Sequence, residues 1–284
     1  MRKVFIATAL ASVAFATPVL ARDGASYVQL DGGVMFVENL EFDIGSLNNA
    51  ASLRPNSRDF GVDVDGWDFG GAIGHDFGPV RIEGEASYRG MRTGLIRSDI
   101  RLPGAVPISA DGTSGGVLPG TYGTRGKVRV LSGMFNAIAD FGPDDGLQGF
   151  VGAGAGYAGI KQNFGFGGGS KIIRSGDEGF AWQALAGIRA PLSDNIDVGI
   201  KYRFFNMDNI KLRDAAGRRA ETSWRSHSLM GSLIFNWGGA EMIDVPPPPP
   251  PPPPAPPPPP EAAPVYQPTP PPPPPPVERP VERG

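Results

Sequence analysis

The sequence predicts an all-β protein: an eight-stranded antiparallel transmembrane β-barrel with short periplasmic turns and long outer loops, followed by a disordered polyproline tail. Three observations support this prediction: an N-terminal export signal, a series of segments that alternate apolar and polar residues, and short and long connections that alternate between them. The predicted domains are a signal peptide at 1–21, a barrel at 22–240 and a proline-rich periplasmic tail at 241–284.

The N-terminus has the order of parts that a secretory signal needs. Arg2 and Lys3 precede an apolar stretch at 4–16, and small residues end at Ala21. The stretch is too short to cross a bilayer as a helix, and no stop-transfer pattern follows it. We therefore expect cleavage after Ala21. A retained anchor is the alternative, but it would not need a small residue at that position.

Composition limits what the exported part can be. The chain has 41 glycines and no cysteine, which excludes a disulfide scaffold in an oxidising compartment. No later segment offers 18 uninterrupted apolar residues, so we expect either a soluble protein or a β-barrel. Without Arg2 and Lys3 the net charge is −5. This charge gives no support to a nucleic-acid partner.

Period-two alternation is clearest at 80–89. Soluble sandwiches show the same alternation, so the number of such segments and their connections decide between the two folds. About eight segments alternate, near 26–38, 66–77, 79–92, 126–141, 147–163, 179–192, 196–209 and 223–238. Short turns are predicted at 75–79, 140–146 and 191–195, and long loops near 39–65, 93–125, 164–178 and 210–222. This connectivity is typical of bacterial outer-membrane barrels, whose even strand number places both termini in the periplasm.

The two faces of these segments differ in polarity. The predicted lipid-facing residues are Val28, Leu30, Phe69, Ile73, Ile82, Tyr88, Phe135, Val151, Tyr157, Trp182, Ile188, Val198, Ile200, Tyr202, Phe204, Leu229, Leu233 and Phe235. The opposite face is polar and includes Gln29, Asp31, Asp68, Asn136, Gln183 and Asp197. An eight-stranded barrel is just wide enough for side chains to fill it. We therefore predict a lumen charge network formed by Arg81, Glu83, Glu85, Arg89, Arg189, Lys201 and Arg203.

Four stretches resemble successive strands of the OmpA-like and opacity-type eight-stranded outer-membrane barrels. They are LSGMFNAIADFG (131–142), FVGAGAGYAGI (150–160), FAWQALAGIRAPLSDNIDVGIKYRFF (180–205) and HSLMGSLIFNW (227–237). The resemblance covers nearly all of 24–238. A barrel followed by a proline linker is similar to OmpA-family proteins of α-proteobacterial type, in which a peptidoglycan-binding domain follows. The sequence stops at Gly284 without such a domain, so peptidoglycan anchoring is not carried over.

The resemblance also implies an assembly signal. Barrels of this class end on an aromatic residue that the barrel-assembly machinery reads, and Phe235 and Trp237 fit that role; the alternative is an interfacial girdle residue. Other expected partners are outer-membrane lipids and lipopolysaccharide. Prolines at 246–276 predict a polyproline II rod on the order of 95 Å long. This rod is either a tether or docking segment that reaches peptidoglycan or a periplasmic protein, or a plain linker.

Chemical motifs are weak. The two histidines are His75, at a short turn, and His227, beside Ser228; neighbouring strand residues point to opposite faces, so no nucleophile–base pair is predicted. The glycine-rich stretch at 164–171 lacks a strand-to-helix context for phosphate. Asp63, Asp65 and Asp68 lack the spacing of a calcium loop. We predict no catalytic residue, cofactor or metal site.

The predicted function is therefore structural: envelope integrity and surface presentation of loops, with a periplasmic proline-rich spacer. Two alternatives stay open. One is a small or gated porin, although eight strands leave little bore. The other is an adhesin or surface-recognition protein that acts through its long loops.

Overall fold

The structure is a computed structural model that describes residues 24–56, 64–103, 115–142, 146–166 and 171–238. The predicted signal peptide with Ala21 and the proline-rich tail lie outside these residues. None of the described residues belongs to a helix that is long and apolar enough to cross a bilayer. The strands are β1 (Ser26–Val37), β2 (Leu40–Ile44), β3 (Leu47–Pro55), β4 (Gly66–Asp76), β5 (Val80–Ser98), β6 (Gly120–Phe141), β7 (Gln148–Phe166), β8 (Lys171–Ser193), β9 (Ile196–Arg213) and β10 (Arg219–Trp237).

Eight of these strands close into an antiparallel barrel. β1 pairs with β4, and from β4 to β10 each strand pairs with the next. Pairing of β10 with β1, with Val28 opposite Phe235, closes the ring. Closure removes the exposed edges that an open sheet would present. The predicted eight-stranded all-β barrel is thus confirmed.

The barrel has two distinct ends. At the terminal end lie the first residue of β1, the last of β10 and the short turns; Ser26 pairs there with both Trp237 and His75. The opposite end carries the long connections and is called the loop end below. Most strands of the barrel are longer than the sequence predicted, and nearly all of the extra length is at the loop end.

A hairpin of β2 and β3 occupies most of the segment that we predicted as the first long loop. β2 pairs with β10 through Ile44 and Ala220, and β3 pairs with β5 through Ala51 and Ser98. The hairpin turns at Gly45, whose φ of 68° suits glycine. It continues the wall where β1 and β4 have ended. The prediction of a loop at 39–65 is therefore wrong for most of that range.

Other predicted loops are also shorter than expected. β8 begins at Lys171 instead of 179, and β10 begins at Arg219 instead of 223. β5 runs on to Ser98, and β6 starts at Gly120 instead of 126. We missed these extensions in the sequence because we identified strands by the apolar residues that face lipid. Beyond the bilayer the outward face contacts water and is polar.

The interior changes character along the barrel. In the terminal half, apolar side chains face outward, and Phe135 is 78% exposed there. In the loop half, 26 of the described residues form a buried apolar cluster inside the barrel, called the apolar plug below. Every strand except β4 contributes to it. The prediction of a polar inner face thus holds only for the terminal half.

Candidate functional site

Charged side chains dominate the terminal half of the interior, beside a small buried apolar cluster of Ile138, Phe150 and Leu185. Nearest the terminal end, Arg81 binds Asp140 through two hydrogen bonds, from Nε at 2.6 Å and from Nη2 at 3.0 Å. Arg189 donates from Nη2 to Asp76 at 3.3 Å and lies 3.7 Å from Asp140. Bidentate contacts of this kind fix the guanidinium in one orientation. This layer therefore cross-links strands β4, β5, β6 and β8.

The middle layer is arranged around Glu85. Its Oε1 lies 2.7 Å from Arg203 Nη2, and its Oε2 lies 3.7 Å from Lys201 Nζ. Asn136 donates to Glu85 at 3.2 Å and to Glu83 at 3.3 Å, which links this layer to the one below. Glu83 also accepts a 2.7 Å hydrogen bond from the Tyr27 hydroxyl and lies 3.7 Å from Arg81.

Asp68 organises the layer nearest the loop end. Arg203 donates from Nη1 to both of its oxygens at 3.1 Å, and Ser228 donates to it at 2.7 Å. Arg89 approaches only to 3.7 Å. Instead, the Arg89 guanidinium lies over the Phe205 ring, 3.7 Å from its centroid, which is a cation–π distance. Arg89 therefore lies at the boundary between the charges and the apolar plug.

All seven predicted network residues lie inside the barrel, each at most 4% exposed. The structure adds Asp31, paired with Lys201, and Asp68, both of which we placed on the inner face. It also adds Asp76 and Asp140, which we had assigned to turns. Their parity could have found them, because Asp76 alternates in step with Asp68 and Asp140 with Asn136. The charge network therefore comprises six carboxylates and five cations: Asp31, Asp68, Asp76, Arg81, Glu83, Glu85, Arg89, Asp140, Arg189, Lys201 and Arg203.

The apolar plug lies directly beyond this network. Trp224 and Phe205 are fully buried in it, together with Val130 and Met134. The Trp224 indole donates to Ser226 at 3.2 Å, so its polar atom is satisfied. An ion that entered from the terminal end would first have to separate paired charges and then lose its water in an apolar segment.

Comparison with known proteins identifies the family. Residues 7–217 match the family described as outer membrane protein beta-barrel domain. The chain belongs to this family. It is therefore an outer-membrane β-barrel protein, as Gram-negative envelopes contain, and the resemblance to OmpA-like barrels is confirmed.

Individual relatives share limited sequence identity with this outer-membrane barrel. It is 28% identical to outer membrane protein PagN of Salmonella typhimurium over 156 residues. The aligned part covers 51% of this chain and 59% of PagN. The match thus spans less than two thirds of that relative. Neisserial surface protein A is 15% identical, with 76% of this chain and 100% of that chain covered and a TM-score of 0.42. OprG of Pseudomonas aeruginosa is 11% identical, with 76% and 99% covered and a TM-score of 0.45.

The histidines of this outer-membrane barrel lie apart from the charge network. His75 contacts the Ser26 hydroxyl at 3.0 Å at the terminal end. His227 faces outward, 2.8 Å from the Tyr202 hydroxyl and 3.4 Å from Glu38. Ser228 points inward to Asp68, so the structure does not bring His227 and Ser228 together.

The weak motifs that the sequence analysis set aside as ligand sites can be located in part. Within the described ranges, no group of three or more histidines and carboxylates could hold a metal ion. Asp65 and Asp68 separate, because the Asp65 carboxylate accepts from the Val37 amide while Asp68 is inside the barrel. Asp63 and residues 167–170 of the glycine-rich stretch lie outside the described residues.

Phe235 and Trp237 both face outward at the terminal end of β10, 39% and 46% exposed. Trp237 is the last residue of the strand and pairs with Ser26. This position suits an assembly signal and a girdle residue equally well.

Proposed function

We propose that the protein is a structural outer-membrane barrel that does not conduct solutes and that holds a rigid wall of strands beyond the bilayer. One observation carries this proposal: the interior is filled along its length by two different kinds of packing. Paired charges occupy the terminal half, and the apolar plug occupies the loop half. A barrel with this interior strengthens the membrane without opening it.

The packing argues against the gated-porin alternative. Opening a path would require moving Arg203, whose guanidinium contacts both Asp68 and Glu85 in a space that water does not reach. Breaking one buried pair typically costs about 3–5 kcal/mol. A change of voltage or pH that acted on the charges would still leave Trp224 and Phe205 in place. Two independent barriers would then have to open together.

Single-channel recording in planar bilayers tests this proposal. We expect the purified protein to give no discrete current steps, after heat-modifiable gel migration has shown that the barrel is folded. Steady steps from the folded protein would overturn the proposal. Trp224→Ala is the informative variant, since it removes the largest fully buried side chain of the plug. We expect it to remain silent, because the charge network still closes the other half.

We also propose that the terminal end faces the periplasm. The short turns at that end support this orientation, because outer-membrane barrels keep short turns in the periplasm and longer connections outside. The chain has no cysteine, so single cysteines can be labelled without background. Asp99→Cys, at the loop end, should react with an impermeant thiol reagent on intact cells, whereas Asp194→Cys should react only after the outer membrane is opened. The reverse pattern would invert the orientation.

In this orientation Trp237 would present its ring to the assembly machinery, and residues 241–284 would enter the periplasm as a spacer toward peptidoglycan or a protein. Trp237→Ala should lower the amount of assembled barrel more than Leu192→Ala does, since Leu192 is also exposed at the terminal end. Equal yields would favour the girdle interpretation. Crosslinking from the tail would identify its partner, and a tail without any crosslinks would argue for a plain linker.

Surface recognition is the second candidate function. It is favoured by the β2–β3 hairpin, which is paired on both edges and packed on the plug and is therefore preorganised for binding. Leu47, at the hairpin turn, is 53% exposed. If the hairpin contacts a host surface, Leu47→Asp should lower adherence of expressing cells while the amount of protein at the surface stays unchanged. Unchanged adherence would argue against surface recognition by the hairpin, and the structural function would then be the remaining proposal.

A further inference from the structure

A patch of cations lies on the outward face of β6 to β8, toward the loop end. Register places Arg129 opposite Lys161, and Lys127 opposite Asn163, which in turn pairs with Arg174. All four cations are exposed. The patch comprises Lys127, Arg129, Lys161, Lys171 and Arg174, and these five residues line one shallow groove of about 630 Å³. No carboxylate is among the described residues that line this groove.

These cations differ from those on the opposite side of the barrel. In the part of the chain that the structure describes, Lys127, Arg129 and Lys161 form no ion pair with a carboxylate. On the β9–β10 face, by contrast, Arg225 lies 3.9 Å from both Glu38 and Asp208. The patch therefore carries positive charge that the protein itself does not neutralise.

A largely apolar groove continues from the patch toward the terminal end. It measures about 980 Å³, and Tyr88, Leu131 and Tyr157 form its sides, while Asp177 and Glu178 also belong to its lining. Its floor is the backbone at Gly133 and Gly159, which register places opposite Tyr157 and Leu131 respectively. A side chain at position 133 would point into open space, because a Cβ built there meets no heavy atom within 4 Å. Glycine at this position keeps the groove open.

The two grooves share Arg129 and Lys161, so cations that form no ion pair in the described structure lie at one end of a largely apolar channel on the lipid-facing surface. A ligand that fits both parts needs an anionic head and an apolar chain. We propose that this face binds one phosphorylated glycolipid of the outer leaflet, with its phosphates on Arg129, Lys161 and Lys127 and one acyl chain over Gly133 and Gly159. The site rests on the proposed orientation, which puts the loop end outside.

Charge complementarity and location favour a lipid over a soluble anion. A soluble polyanion would use the cations but leave the groove between Tyr88 and Tyr157 empty. The groove lies on the same outward face as Leu131 and Phe135, which are 61% and 78% exposed and suit contact with hydrocarbon. Cations at the polar edge of such a surface attract anionic headgroups. A phosphorylated lipid places its phosphates on the cations and its acyl chain in the groove at the same time.

The test compares retention of bisphosphorylated lipid A by the full-length protein in detergent, measured by native mass spectrometry. Arg129→Gln with Lys161→Gln removes two cations of the patch. Lys211→Gln with Arg219→Gln removes two exposed loop-end cations that lie outside it and serves as the charge-matched control. We expect about twentyfold weaker retention for the first pair, from about fivefold per cation, and less than about a twofold change for the control.

Gly133→Leu tests the acyl groove separately. We expect it to lower lipid A retention as strongly as loss of the cations, because its side chain would occupy the channel. If Gly133→Leu fails to assemble, Gly159→Leu replaces it, since a Cβ there meets only Glu178 Cβ at 3.9 Å. Heat-modifiable migration checks that each variant is folded.

Two results would overturn the proposal. Equal lipid A retention by the patch variant and the control would show that these cations do not bind the phosphates. A loss with the patch variant, no loss with the leucine variants and competition by inorganic pyrophosphate would indicate a phosphate site without a lipid. Phosphatidylethanolamine at the same concentration shows whether any two-chain lipid suffices. Conductance of the same preparations is unaffected by these outcomes, so failure here is distinct from failure of the non-conducting function.

Discussion

Two arginines in the charge network show that the neighbouring groups decide how much a buried charge contributes to stability. Arg203 contacts Asp68 at 3.1 Å and Glu85 at 2.7 Å, so it neutralises two carboxylates at once. Arg89 is equally buried, but its nearest carboxylate, Asp68, is 3.7 Å away. Its Nη2 donates instead to the Ser87 and Ser132 hydroxyls, and its guanidinium lies over the Phe205 ring. The same residue type should therefore contribute very differently at these two positions.

Arg203→Met should lower the free energy of unfolding by about 3–5 kcal/mol, because Asp68 and Glu85 would stay buried with too little positive charge. Urea unfolding of the barrel in detergent micelles, followed by tryptophan fluorescence, measures this change. A loss of under 1 kcal/mol, on the order expected for an exposed ion pair, would mean that water reaches the network.

Arg89→Met is the matched variant and should change stability by less than about 1.5 kcal/mol, because methionine has a similar shape and suits the apolar plug. Asp68 would still accept two hydrogen bonds from Arg203 and one from Ser228. Equal destabilisation by Arg89→Met and Arg203→Met would show that Arg89 is needed as a charge.

Alternation along single strands was enough to predict which charges point inward, but not which of them pair. The predicted network assigned no individual pairs, and in the structure the nearest carboxylate to Arg89 is Asp68 on β4. Asp68 in turn binds Arg203, 135 positions along the chain. Such partners depend on the stagger between strands around the whole ring, which a single strand does not encode.

At the scale of the strands, the sequence was informative where lipid contacts the wall. There the outward residues must be apolar, so segments such as 79–92 alternate strongly, and the terminal-end bound of that strand was predicted to within one residue. Beyond the bilayer the polarity inverts, and inward residues such as Phe42 and Leu212 are the apolar ones. Because glycine and asparagine surround these residues, the sequence of the segment is typical of a loop. The β2–β3 hairpin was missed for this reason.

The hairpin offers a direct test of its packing. Phe42 is 1% exposed and lies 6.3 Å from the Phe164 ring, so Phe42→Ala should leave a cavity that costs about 3–5 kcal/mol. Hydrogen exchange should speed up in β2 and β3, while β1 and β4 in the terminal half keep their protection.

Asn48→Ala, at an exposed position beside the hairpin turn, is the control and should leave exchange unchanged. If β2 and β3 already exchanged freely in the unmodified protein, the hairpin would be a loop after all. If Phe42→Ala removed protection from all strands together, the plug would be part of one cooperative unit with the charge network.

At the scale of the whole molecule, closure into eight strands and the terminal charge network followed from the sequence, whereas the apolar plug did not. Its members come from nine strands, including the hairpin, and no single segment carries enough of them to form a pattern. The plug changes the functional interpretation. A charged lumen alone would allow slow permeation, but a charged layer followed by an apolar one should exclude water and ions.

Access of a small thiol reagent to the interior tests this exclusion most directly. Ser132→Cys lies beside Arg89 of the charge network and Ser226→Cys lies beside Trp224, and both native serines are at most 3% exposed. We predict that neither cysteine reacts from either side of a reconstituted membrane, whereas Asp99→Cys at the loop end reacts readily. Reaction of both buried cysteines at the rate of Asp99→Cys would contradict a closed interior and favour a pore.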